Sequence, residues 1–251
     1  MSSDPTPMTT SLSNTAPIDA RSRLMVALDV PPARAARRIV DQLGARVDFF
    51  KVGLELFTGT GLEFVRELQS RKKQIFLDLK VFDIGETVKR TVKVVVDAGV
   101  SFLTIHGNTE IIMAAVEARG NSSLKLLSVT VLTSLDVKDI RDLGYECSLQ
   151  ELVLHRAVKA LEAGCDGVIS SPREAKLIKE ATHGDLLVVT PGIRPLGAQF
   201  QDQKRVGDPR SAIENGADYL VVGRPITAVP DPAAAADAII AEMQLGFNSR
   251  V

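Results

Sequence analysis

Eight short apolar runs recur along this chain, all but the seventh leading into a helical pattern, and few folds accommodate that rhythm. The runs lie at 24–28, 47–53, 75–84, 102–106, 124–132, 167–170, 186–190 and 219–222. Helical patterns follow at 33–43, around Leu62, Val65 and Leu68, at 84–98, 109–118 and 149–163, after Ser171-Pro172-Arg173-Glu174, and in a final alanine-rich stretch. A polar segment delays the helix after the fifth run, and a long turn follows Pro191-Gly192-Ile193-Arg194-Pro195. Strands that are apolar almost throughout are covered on both faces, which implies an α/β protein with an all-parallel sheet and helices outside it. Eight such units close a (β/α)8 barrel, the TIM barrel fold. An open dinucleotide-binding sheet would need a Gly-x-Gly-x-x-Gly turn after the first strand, and none is present. Residues 1–20 are rich in Ser, Thr and Pro and read as a disordered tail, leaving 21–251 as a single catalytic barrel domain.

Such barrels carry their chemistry at the carboxyl ends of the strands. Asp29, Lys51, Asp78, Lys80, His106, Thr133, Arg194 and Arg224 all fall there. The stretch Ile75-Phe76-Leu77-Asp78-Leu79-Lys80-Val81-Phe82-Asp83-Ile84 is the densest in charge. Alternation along a strand turns Asp78 and Lys80 to one face and Leu77, Leu79 and Val81 to the other. A buried salt bridge is the plain explanation, but burying an ion pair generally returns little stability, so a chemical role competes with it. Carboxylates on both sides favour the ammonium form of Lys80, making it a positioned proton donor rather than a free amine. Lys51, at an inner strand end, needs a charge partner that Asp78 can supply. Asp29 taken alone is equally a helix cap, and Thr133-Ser134 are equally turn hydroxyls. His106 reads as a hydrogen-bonded wall residue, and His155 and His183 as surface positions.

Thirty Lys and Arg against 31 Asp and Glu give a net charge of −1, which removes any general electrostatic case for nucleic acid or an anionic membrane. No apolar stretch is long enough to span a bilayer. Aromatic residues make up only 4%, without tryptophan, so base-stacking platforms are not expected. Cys147 and Cys165 show no metal-type spacing and suit a reducing cytoplasm. Pro191-Gly192-Ile193-Arg194 and Gly223-Arg224-Pro225 follow the last two strands, where such barrels often hold a phosphate. Each arginine alone is an ordinary surface residue; together they point to a phosphorylated small molecule.

Asp78-Leu79-Lys80-Val81-Phe82-Asp83-Ile84, with Leu28-Asp29, Lys51-Val52-Gly53, Val131-Leu132-Thr133-Ser134, Pro191-Gly192-Ile193-Arg194-Pro195, Asp202-Gln203-Lys204-Arg205 and Val222-Gly223-Arg224-Pro225, closely resembles the bacterial orotidine 5′-monophosphate decarboxylase family, in order from about Arg23 to Met243. The resemblance implies cofactor-free, metal-free decarboxylation of orotidine 5′-monophosphate to uridine 5′-monophosphate. Lys80 matches the proton-donating lysine, and Asp78 and Asp83 match the carboxylates flanking it. In the family the second carboxylate reaches the neighbouring site of a homodimer, which implies the same for Asp83 and Thr87. Asp29 and Lys51 match ribose-hydroxyl contacts, Thr133 a pyrimidine contact, and Arg194, Gln203, Gly223 and Arg224 the phosphate grip; the segment from Arg194 to Gln203 is a candidate lid. Where the family commonly has His-Asp-Ile-Pro-Asn-Thr, this chain has Phe82-Asp83-Ile84-Gly85-Glu86-Thr87. Magnesium-dependent 3-keto-gulonate 6-phosphate decarboxylases and hexulose-phosphate synthases are a sister group, but they place a glutamate metal ligand where Lys51 stands. A catalytically silent phosphate-binding barrel would have lost a member of the charge set, and none is missing.

Overall fold

The computed structural model describes residues 18–30, 32–195 and 205–250. Strands β1 (Leu24–Ala27), β2 (Phe49–Gly53), β3 (Gln74–Val81), β4 (Phe102–Ile105), β5 (Lys125–Val129), β6 (Gly167–Ile169), β7 (Leu187–Thr190) and β8 (Tyr219–Val222) form a closed barrel in that order. Closure is made by β8 pairing in parallel with β1, through Leu220 opposite Leu24 and Val222 opposite Val26. Helices α1 (Ala33–Leu43), α2 (Leu54–Ser70), α3 (Gly85–Asp97), α4 (Thr109–Arg119), α5 (Val137–Asp142), α6 (Leu149–Glu162), α7 (Ala175–Ala181), α8 (Pro209–Glu214), α9 (Arg224–Thr227) and α10 (Pro232–Asn248) connect the strands. The eightfold rhythm read from the sequence is thus a (β/α)8 barrel.

Two cores result from the alternation along each strand. Leu24 and Val26 face outward into the layer shared with α1, α2 and α10, whereas Met25 and Ala27 face the barrel axis. The axis is filled by Met25, Phe49, Phe76, Phe102, Leu127, Val189 and Val221. Phe102 packs edge-on against Phe49 and Tyr219, each at 5.2 Å between ring centres. These rings plug the cylinder, which leaves its carboxyl-end mouth as the space for a ligand.

The helices depart from the expected bounds in two places. Helix α2 begins directly after Gly53, ahead of Thr58-Gly59-Thr60, because Gly61 (φ 60°, ψ −158°) carries a kink inside it that reads in sequence as a helix entry. The polar segment after β5 contains α5, capped reciprocally by Asp136 and Asp139, while Ser148 and Glu151 cap α6 in the same way. Ala20, expected at the end of the tail, is fully buried, and its N–H donates to Gln244 Oε1 on α10. The remainder of the expected tail, 1–17, lies outside the described residues.

Gly167 shows how tightly the sheet is closed. A Cβ there would lie 2.5 Å from the Leu187 carbonyl oxygen and 2.8 Å from the Leu187 Cβ, and neither can yield without parting β6 from β7. Gly167→Ala is therefore expected to cost roughly 1–3 kcal/mol, the usual range for overpacking. Urea denaturation against the unaltered protein measures this, and an unchanged midpoint would show that the strand pair is not close-packed.

Candidate active site

Four side chains of alternating charge cross the mouth of the barrel. Lys51 Nζ, on β2, lies 2.7 Å from Asp29 Oδ1 just beyond β1 and 3.3 Å from Asp78 Oδ2 on β3. Asp78 Oδ1 in turn accepts a hydrogen bond of 2.8 Å from Lys80 Nζ. A side chain at position 53 would obstruct this array, since a Cβ on Gly53 would fall 2.5 Å from Asp29 Oδ1 and 2.9 Å from Lys51 Nζ. Burial works to raise the Asp78 carboxyl, but the Lys51 and Lys80 charges and the Lys80 and Thr104 hydrogen bonds outweigh it and hold the group below its ordinary value. Burial likewise works to lower Lys51, and Asp78 and Asp29 overcome it, so the amine is held above its ordinary value. Lys80 differs in access: its side chain is 41% exposed, against 9% for Lys51 and 14% for Asp78. Of the two ammonium groups it is the more accessible to an incoming molecule.

Strand β3 reaches this geometry by breaking its ladder. Leu77 pairs with Leu103 and Val81 with Ile105, so Asp78, Leu79 and Lys80 together face the single residue Thr104. Lys80 adopts φ 49°, a left-handed conformation that is rare for a residue with a long side chain. The regular alternation expected of this strand is thus replaced by a bulge. Asp78 and Lys80 still share the cavity, while Leu79 and Val81 pack against the outer core.

Asp29, Lys51, Asp78, Lys80, Thr133, Arg194, Gly223 and Arg224 line one cavity of ≈ 490 Å³. Ser134, Gly192 and Thr227 join them, together with the apolar side chains of Val129, Ile169 and Val221. Nothing in the spacing of those three apolar positions distinguishes them from core. Arg194 is buried and Arg224 exposed, so the two arginines present their charge at different depths. Asp83 and Thr87 stand apart from this cavity: Asp83 is exposed and accepts the Ile84 N–H, and Thr87 is half-buried in the first turn of α3. Gln203 and most of the candidate lid lie outside the described residues.

The loop that carries Thr133 is braced by a pair the residue patterns alone did not single out. Arg205 is buried, makes a 2.8 Å ion pair with Glu174, and donates to the Val131 and Leu132 carbonyls at 2.9 Å each. His106 does not line the charged cavity but a neighbouring one, with Phe82 5.8 Å away between ring centres. Its Nδ1 has no hydrogen-bond partner, but the imidazole is hydrogen-bonded to the Val129 backbone, as expected of a wall residue, and burial followed by the Arg156 charge holds it below its ordinary value. His155 and His183 are exposed, as their patterns suggest. Among the described residues no group of three or more His, Cys, Asp or Glu side chains could hold a metal ion.

A closed parallel barrel with its charged cavity at the carboxyl ends of the strands defines a (β/α)8-barrel enzyme. The chain belongs to the Orotidine 5'-phosphate decarboxylase / HUMPS family, whose model matches residues 22–239. It is 52% identical over 224 residues to an orotidine 5'-phosphate decarboxylase of Nitrobacter winogradskyi, covering 89% of this chain and 93% of that one. It is 49% identical over 236 residues to the enzyme of the same name from Rhodopseudomonas palustris, covering 93% of this chain and all of the other. Among solved structures, the orotidine 5'-phosphate decarboxylase of Lactobacillus acidophilus superposes with a TM-score of 0.78 at 38% identity, over 88% of this chain and 99% of that one.

The left-handed backbone at Lys80 has a measurable consequence. Glycine in a strand normally costs about 0.5–1 kcal/mol relative to alanine, but at φ 49° an alanine Cβ costs roughly 1–2 kcal/mol. Lys80→Gly is therefore expected to unfold at higher urea concentration than Lys80→Ala. The usual order, with alanine the more stable, would mean that the bulge is not under strain.

Proposed function

We propose that this protein is an orotidine 5′-monophosphate decarboxylase that converts its substrate to uridine 5′-monophosphate and carbon dioxide with its own side chains alone. The observation that carries the reading is the exposed Lys80 amine, tied to Asp78 in the cavity that also holds Arg194 and Arg224. Family membership and relatives near 50% identity support the same activity.

The chemistry follows from the charge array. Loss of carbon dioxide breaks a carbon–carbon bond and leaves its electron pair on a ring carbon with no adjacent carbonyl to take it up. An electron-sink cofactor is the common solution to that problem. Here a fixed ammonium stabilises the developing charge instead, and preorganised charge of this kind is usually the largest catalytic contribution. Lys80 then gives a proton to the same carbon and regains one from water. Asp78 sets the lysine's position and stands near the departing carboxylate, Lys51 and Asp29 hold the ribose hydroxyls, and Thr133 contacts the pyrimidine. Arg194, Arg224, Gln203 and the backbone at Gly223 grip the phosphate. Binding energy gained at the phosphate is thereby available at the reacting carbon.

Asp83 and Thr87 act across a homodimer, completing the site of the second copy. In support, Phe82 and Ile84 on either side of Asp83 are 65% and 71% exposed, an apolar pair that a solitary barrel would leave in water. The cytoplasm is the setting we assign, consistent with two unpaired cysteines and with the lack of any described helix long and apolar enough to cross a membrane. A magnesium-dependent sister activity is disfavoured by Lys51, whose cation stands where that chemistry needs an acidic ligand.

The test is the loss of orotidine 5′-monophosphate absorbance by purified protein with a chelator present. Turnover is expected to persist, Lys80→Ala to abolish it with the fold intact, and Arg224→Ala to raise KM roughly 10- to 100-fold, the value of one charge-assisted contact. A magnesium requirement, or full turnover by the lysine variant, would contradict the assignment.

A further inference from the structure

Thr104 belongs to none of the motifs that mark the site, does not line the cavity, and is fully buried on β4. Its hydroxyl nevertheless lies at the centre of the bulge. The Lys80 backbone N–H donates to Thr104 Oγ1 at 2.9 Å, and Thr104 Oγ1 donates to Asp78 Oδ1 at 2.9 Å. Asp78 Oδ1 also accepts from Lys80 Nζ at 2.8 Å. The bonds form a ring that leaves the lysine through its backbone and returns through its side chain.

Each link has a physical reason. With three residues of β3 facing one of β4, the Lys80 N–H has no strand carbonyl opposite it, and a buried amide without a partner is costly. A hydroxyl is the smallest side-chain group that accepts one hydrogen bond and donates another. Branching at Cβ restricts threonine to few rotamers, so Oγ1 stays aimed at both partners. The ladder resumes immediately afterwards, where the His106 N–H donates to the Val81 carbonyl at 3.0 Å. The left-handed conformation at Lys80 is thus confined to one residue and held from the facing strand.

We infer that Thr104 is the positioning residue of the decarboxylase site: it holds Lys80 in its left-handed conformation and fixes Asp78, so that ammonium and carboxylate keep their places relative to the reacting carbon. The inference rests on the activity proposed above. It goes further in assigning the geometry of the lysine to a hydroxyl outside the cavity. A residue with only a packing role would affect stability; one that positions the lysine affects the chemical step. Misplacing a catalytic group by about 1 Å can cost on the order of 100-fold in rate.

Thr104→Val keeps the shape and removes the hydroxyl, and Thr104→Ser keeps the hydroxyl. Decarboxylation kinetics should show kcat for the valine variant reduced roughly 100-fold with KM within about threefold of the unaltered enzyme, because the groups that bind the nucleotide are untouched. The serine variant should recover most of that loss. If valine at 104 prevents folding, Thr104→Ser against Thr104→Ala makes the same comparison, since those two differ by the hydroxyl alone. Unchanged kcat in the hydroxyl-free variant would overturn the inference, as would a loss confined to KM or serine performing no better than the hydroxyl-free variant. An inactive unaltered enzyme would instead overturn the decarboxylase reading, and this inference with it; activity that Lys80→Ala abolishes but Thr104→Val spares would overturn this inference alone.

Discussion

The Asp78 carboxylate, shared between two ammonium groups, is the interaction on which the site depends. One oxygen faces Lys51 at 3.3 Å and the other takes the Lys80 amine at 2.8 Å. A carboxylate in such a position would be expensive to bury unpaired. Two cations and the Thr104 hydroxyl offset that cost, and the result is a rigid array with its outermost cation at the mouth. The barrel serves this arrangement directly. Its axis is plugged by Phe49, Phe76, Phe102 and Tyr219, which leaves the carboxyl-end mouth for the charged array.

The site also shows where conformational strain has been placed. Most of the barrel obeys ordinary alternation, with Met25 and Ala27 inward and Leu24 and Val26 outward. The departure in β3 falls on the residue assigned the proton transfer. Strained backbone persists only where its surroundings enforce it, and Thr104 together with the resumed pairing of Val81 and Ile105 supplies that enforcement. At the other end of the cavity, the buried Arg205–Glu174 pair ties the loop bearing Thr133 to the segment that follows the phosphate-side loop. The Thr133 side of the cavity is therefore joined through Arg205 to the segment beyond Arg194.

Much of this was legible in the residues. Apolar runs at regular intervals announce the strands because parallel strands must be apolar on both faces, and charges at the ends of such runs mark the mouth. Eight expected contact residues meet in one cavity for that reason. Strict alternation also paired Asp78 with Lys80 correctly, though by a regular strand that the bulge replaces. The bulge itself left no signature, since a lysine at positive φ looks like any other lysine. Thr104 was hidden likewise, because a threonine in an apolar strand is unremarkable until its hydroxyl has partners. Gly61 misplaced the start of α2, as glycine suits a kink within a helix as well as an entry to one. Asp83 and Thr87 stand apart from the cavity, so the roles expected of them are not visible in a single chain, and Gln203 lies outside the described residues.

The most direct test of the central claim is a crystal structure of the protein with uridine 5′-monophosphate bound. The account predicts the nucleotide across the barrel mouth, its phosphate on Arg194 and Arg224, and the Lys80 amine between Asp78 and the ring carbon that carried the carboxylate, within about 3–3.5 Å of that carbon. A nucleotide seated elsewhere, or a Lys80 amine turned to solvent and away from Asp78, would contradict it.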